Sequence, residues 1–385
     1  MATYNSAGSG NFNADATWTE SGQPSTDDVA VIASGHTVTM TADASVGSID
    51  IQGTLTTDGT ARTLTLDDGG QGYICEHRGT VSTTINLTIN SNYAGNRLIR
   101  ISNGGNGNFN NVSITLESAA RVLEFVQSTT IDGNLTILLG KLQPYASTYS
   151  LTVTGTTTIG DGTGGTPDEA TLTCGGSTCS FGSGVTADYG ILVKANGTFA
   201  GGTGTHTAGG FYMDQNANAK ATMTTDVMTI NSEKTSANKA WRVEYGGDTF
   251  DNANGTVKFH LNGFDTRMSM RGASHANNAF HNLIIEGDTS ARQISPDNGS
   301  KIIVDNDLTI TNGKLVMGMS HALEVGGDVE IDDASGTAIL EMGSSSNISS
   351  QAATFGSLTI GGSGTYKATS GTTEITSAAS NYAVT

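Results

Sequence analysis

Residues 135–155 read LTILLGKLQPYASTYSLTVTG, and residues 308–327 read LTITNGKLVMGMSHALEVGG. The second stretch restates the first with one residue fewer. The likeness extends to either side. Phe109 in FNNVSI answers to Phe280 in FHNLII, Gly140 to Gly313 and Ile159 to Ile331, at offsets of 171, 173 and 172 residues. Residues 109–161 therefore resemble 280–333, and a shorter echo, FGSLTI within 355–361, follows. Strands of a sandwich occupy unique positions and rarely look alike. Coils of a stacked array all face the same environment, so their sequences drift together.

The rest of the chain fits such an array. Runs such as DDVAVI, HTVTM, GSIDI, RTLTL, INLTI and NVSITL recur with centres about ten to twelve residues apart, divided by Gly, Asn, Asp and Ser. In GSIDI the alternation sets Ile49 and Ile51 on one side and Asp50 on the other; in NLTI it pairs Leu135 with Ile137. ESAARVLEF (117–125) comes nearest to a helical period, but its counterpart near residue 290, ARQISPDNG, is a poor helix, so it reads as strand. The pattern predicts an all-β chain, an elongated right-handed parallel β-helix, the hand following from the crossover preference. At about 20 to 25 residues per coil there would be roughly 15 to 19 coils. Residues 1–56 read as an N-terminal capping module, 57–370 as the solenoid and 371–385 as a last strand with a polar tail.

Composition agrees. Aromatics are 6% and charged residues 14%, while Gly numbers 51 and Pro 4, which suits a thin core of inward Ile, Leu and Val with Thr and Asn outside. The net charge of −18 repels phosphate backbones, and no basic patch offsets it, so nucleic acid is excluded as a partner. No apolar run is long enough to cross a membrane as a helix. The opening, MATYNSAGSGNFNADATW, lacks the basic and apolar regions of a secretory leader. Cys75, Cys174 and Cys179 give no disulfide framework. CGGSTC leaves two readings open, unpaired structural thiols or a local Cys174–Cys179 bridge.

The search for chemistry is thin. Carbohydrate hydrolysis needs two carboxylates about 5 to 10 Å apart, a spacing that adjacent coils supply anywhere, so pairs such as Asp332 and Asp333 are uninformative. His260, His275 and His281 read as outward or turn residues. Cys75, Glu76, His77 and Arg78 alternate between opposite faces of a strand. DDGGQG (67–72) and GDGTGG (160–165) offer the oxygen ligands that Ca²⁺ takes, but match no calcium motif; no cofactor is expected. Among aromatics, Trp241, Val243 and Tyr245 share one side and read as core. GGFYM (209–213) is a further candidate, and Tyr145 and Tyr149 lie in a loop that the second copy replaces with Met317 and Met319, the place where glycan contacts are expected.

GNFNADATWTESGQPSTDDVAVIASGHTVTMTADASVGSIDIQGTLT (10–56) resembles the opening module of many β-helical surface proteins, in which a Trp and a Pro precede D-x-V-x-I, G-x-T-V-T and G-x-L strands. Trp18, Pro24, Asp28, Val29, Val31, Gly35, Val38, Ile49, Gly53 and Leu55 supply the matching positions. The F-x-N-L-x-I and NGTV-x-F phrases resemble bacterial extracellular β-helices and structural proteins of phages, marine ones especially. The resemblance implies a non-enzymatic virion structural protein on the virion surface, a tail fibre or capsid-surface decoration. Its partners would be other virion proteins, copies of itself in a homotrimer, and host-surface glycans. Trp18 and Pro24 mark the cap or attachment surface. A bacterial secreted or cell-surface adhesin is the alternative, and a polysaccharide-active β-helix enzyme the third reading.

Overall fold

A computed structural model describes residues 2–375 apart from 68–71, 93–94, 101–105, 164–168, 183–188, 215–217, 233–238, 244–249, 264, 271–277, 290, 298–300, 318–322, 334–337, 343–351, 356, 363–364 and 369–371. The described chain is all-β save one helical turn at Asp15–Thr17. Its strands pair in parallel as a β-solenoid of about 11 turns. The 15 to 19 turns expected are too many because loops lengthen some coils: the partner of Val29 is Ser48, but that of Leu142 is Leu172. Two compact units form, Met1–Ser183 with Lys194–Ala200, and Gly184–Val193 with Gly201–Thr385.

In the first unit each turn contributes to three faces. Thr3–Asn5, Val29–Ile32, Ser48–Ile51, Tyr73–His77, Arg97–Arg100 and Val122–Phe125 follow one another along the first. Ala44–Val46, Arg62–Leu66, Ile85–Ser91 and Val112–Leu116 build the second. Thr37–Met40, Thr54–Thr57 and Thr80–Val81 begin the third. Of the segment 117–125 only Val122–Phe125 is strand, pairing with both Arg97–Arg100 and residues 141–144, while 117–120 make a turn closed by Arg121 N on Ser118 O. The long strand Leu135–Pro144 leaves the second face for the first at Gly140, where φ is 89° and a Cβ would lie 2.7 Å from the Leu116 side chain. Glycine is needed there on both counts.

The two sequence copies repeat one geometry. Ile114, Ile137 and Ile159 stack inward on successive turns of the first, as Ile285, Ile310 and Ile331 do in the second, all buried. At the corner before each stack a side chain substitutes for the backbone ladder. Asn111 Oδ1 accepts from Asn134 N at 2.9 Å and Asn134 Oδ1 from Thr156 N at 2.8 Å. In the second copy Asn282 Oδ1 accepts from Asp307 N at 3.3 Å and Asp307 Oδ1 from Asp328 N at 2.9 Å. Gly313, like Gly140, has positive φ, and Lys141 N and Lys314 N donate to Arg121 O and Arg292 O, both at 2.8 Å. The repeated words encode one corner, one inward stack and one glycine turn.

The second unit adds aromatic packing. Trp241 is fully buried, its ring 4.7 Å from Phe211 and 5.4 Å from Phe280, and its Nε1 donates to Met270 Sδ at 2.9 Å. Val243 is buried beside it on the inward side, as the alternation predicts, and Tyr245 lies outside the described residues.

Candidate functional site

The alternation that buries Ile49 and Ile51 sends Ser48 and Asp50 to the outside of the first face. Parallel register then sets Asp50 beside Glu76 on the next turn and Glu76 beside Arg100 on the one after. Two carboxylates side by side repel, and two guanidiniums offset that. Arg78 Nη2 contacts Asp50 Oδ2 and stands 3.3 Å from Glu76 Oε2, while Arg100 Nη1 stands 2.8 Å from Glu76 Oε1. The hydrogen bond to Asp50, ahead of the charges of Asp50 and Glu76, raises the Arg78 pKa above its ordinary value. Arg100 also donates through Nη2 to Tyr73 Oη at 2.9 Å and lies 4.9 Å over the Tyr73 ring. Gln52 Nε2 donates to Asp50 Oδ2 at 2.7 Å. Every polar head in this column is held in place by a neighbour.

Beside the column is a cleft of about 300 Å³ lined by Thr3, Val29, Val31, Ser48, Ile49, Asp50, Gly72, Tyr73 and Glu76. Valines form an apolar strip, Tyr73 an aromatic wall and the two carboxylates a polar edge. Ser48 is 2% exposed, and among the described residues its hydroxyl has no hydrogen-bond partner. Such an orphaned buried hydroxyl is uncommon in a folded protein.

Neighbouring Cys75 and His77 point the other way, into the coil. Burial, and then the charges of Asp50 and Glu76, push the Cys75 thiol up. Burial holds the His77 imidazole down against the pull of the Gly79 carbonyl, 3.0 Å from Nε2, and Phe109 packs edge-on at 6.2 Å. The outward half of CEHR therefore carries charge and the inward half is core.

Other sequence candidates fall in separate places. Trp18 is buried, its Nε1 donating to Phe12 O at 2.8 Å and its ring 5.2 Å from Phe12; Pro24 is buried too. Tyr145 is 64% exposed and Tyr149 half-buried, in a turn closed by Tyr149 N on Ala146 O. Asp161 of the Gly-rich motif accepts from Thr163 N and Oγ1, which with Asn196 lower its pKa. Asp67 lines a second cleft of about 350 Å³ with Asp27, Asn90 and Glu117, and burial raises its pKa. His260 pairs with Glu286 at 3.4 Å, His281 is half-buried at a bend, and His275 lies outside the described residues. Cys174 and Cys179 are buried free cysteines brought together with His206, their ligand atoms all within 4.8 Å of one another.

The second unit carries an outward aromatic patch. Tyr212 stacks on Tyr189 at 5.1 Å, Arg242 on the next turn lies 4.8 Å over its ring, and Tyr212 Oη donates to Asp214 Oδ1 at 3.3 Å. Arg242 is the outward neighbour of core Trp241, and Tyr212 belongs to the GGFYM phrase. No family model, curated protein or solved structure matches the chain.

Proposed function

We propose that the chain is a non-enzymatic structural protein of a virion, a tail fibre or capsid-surface component, that displays a rigid solenoid surface to solvent and to host glycans. The observation that carries the reading is the division of each strand. Inward Ile, Leu and Val stack turn on turn, while the outward positions hold Thr, Asn, Asp and Glu, with side-chain hydrogen bonds across turns such as Thr57 to Thr84 and Asn90 to Asp67. Laddered backbone hydrogen bonds of this kind leave few groups free for proteolysis or fraying. The acidic exterior, at a net −18, favours solvation. Asp50 and Glu76, the carboxylate pair beside a cleft, are both clamped by arginine, an arrangement suited to recognition rather than to proton transfer. Residues 1–28, with Trp18 packed on Phe12, are the proposed end cap, and contacts to copies of itself, as a homotrimer, or to other virion proteins would use the solenoid ends.

Mass spectrometry of purified particles with immunogold labelling tests the assignment. The expected result is stoichiometric presence and surface label on particles. Presence only on bacterial envelopes or in supernatants of uninfected cells would replace it with the adhesin reading.

A further inference from the structure

We infer that the cleft beside the Asp50–Glu76–Arg100 column binds a neutral pyranose residue of a surface polysaccharide. The inference rests on the reading of the chain as an attachment protein and assigns that role to one place. A pyranose presents an apolar face of C–H groups and a rim of hydroxyls. The cleft offers the complement, a Val29–Val31 strip and the Tyr73 ring for the face, and two carboxylates for the rim. Volume is adequate, since about 300 Å³ admits one or two sugar rings. Both carboxylates are oriented by guanidinium groups, so no rotamer freedom is lost when hydroxyls donate to them.

The second observation is Ser48. It stands on the same outward side as Asp50, two residues before it, and lines the cleft while 98% buried, with its hydroxyl unpartnered among the described residues. A sugar hydroxyl supplies the missing partner. Charge sets the class of sugar. Asp50 and Glu76 line the cleft, whereas Arg78 and Arg100 do not, so a uronate or sialate would meet carboxylates first. A neutral ring meets no such penalty.

Binding of maltotriose, mannotriose and chitotriose to the full chain, compared with trigalacturonate and sialyllactose, tests this by calorimetry and saturation-transfer NMR. Saturable binding of at least one neutral trisaccharide is expected, with a dissociation constant of about 1 mM or tighter. Ser48→Ala should weaken it about fivefold with an unchanged unfolding midpoint, and Tyr73→Ala should weaken it further. Tyr145→Ala, three strands along the same face, should leave it intact. Failure of every neutral probe, preference for an anionic one, equal affinity in Ser48→Ala, or loss in Tyr145→Ala instead would each overturn the assignment. Localisation on particles is measured separately, so a failed cleft leaves the virion reading standing, and a failed localisation leaves the cleft standing.

Discussion

Ile137 lies at the centre of the first sequence copy, fully buried, with Ile114 on the turn before and Ile159 on the turn after. Ile137→Ala deletes three methyl or methylene groups, worth about 2.4 kcal/mol at about 0.8 kcal/mol each. The walls cannot collapse freely, because each neighbouring isoleucine is fixed by its own backbone ladder, so a cavity contribution brings the loss to about 3–4 kcal/mol. Ile137→Asp buries a carboxylate among aliphatic side chains with nothing to pair with, and should cost about 5 kcal/mol or more. Ile310 sits in the same way between Ile285 and Ile331, so the same substitutions there should cost the same within about 0.5 kcal/mol. Guanidinium denaturation followed by far-UV circular dichroism gives the global effect. Hydrogen exchange read by mass spectrometry gives the local one, which matters because a stacked array need not unfold in a single step. An Ile137→Asp protein with the parent's transition would show that the strand faces solvent. Unequal losses at Ile137 and Ile310 would show that the two copies do not share an environment.

The corner side chains carry a smaller load. Asn134→Ala removes one acceptor of Thr156 N and Asp307→Ala one of Asp328 N, and each should cost about 1 kcal/mol and speed exchange of that amide, with stability of the second copy unaffected by a change in the first. Acidification should weaken the fold through His77, whose pKa is lowered below its ordinary 6.5 by burial. The unfolded chain then binds more protons in the interval, so stability is complete above about pH 6.5 and falls as pH drops toward the folded value. Denaturation midpoints between pH 7 and 5 should decline in the parent and decline less in His77→Phe.

The fold was legible because alternation and repetition answer different questions. Alternation says which side chains go inward, and it placed Ile49, Ile51, Leu135, Ile137, Trp241 and Val243 correctly. Repetition says that many strands share one environment, which excludes a sandwich. Coil number was less legible, since it depends on loop length: the single turn from Leu142 to Leu172 holds the strands Leu151–Val153 and Thr157–Ile159 and loops that add residues without adding turns. Trp18 illustrates a different limit. A tryptophan near the start reads, with Pro24, as part of a cap or attachment surface, and only the position of Phe12 shows that its ring is packed away.

The cleft was hidden for a physical reason. Along the chain, Asp50, Glu76 and Arg100 are unremarkable outward residues of SIDI, YICEH and RLIR, far apart and in dissimilar words. They meet because a parallel solenoid turns sequence distance into a single inter-strand step, about 4.8 Å. Recognition in such a fold runs across the strands, whereas motifs are sought along them. Coil length is the missing quantity: once Ile49 is matched to Cys75 and Cys75 to Ile99, the column follows from parity alone. The same parity makes the column sensitive to some changes and indifferent to others. A residue added within a loop, away from the paired strands, leaves every outward side chain where it was. A one-residue slip within Ser48–Ile51 would exchange Ile49 and Ile51 with Ser48 and Asp50, burying a carboxylate and exposing two isoleucines. The hydrophobic stack thus holds the outward column in register, and the surface chemistry is as fixed as the core beneath it.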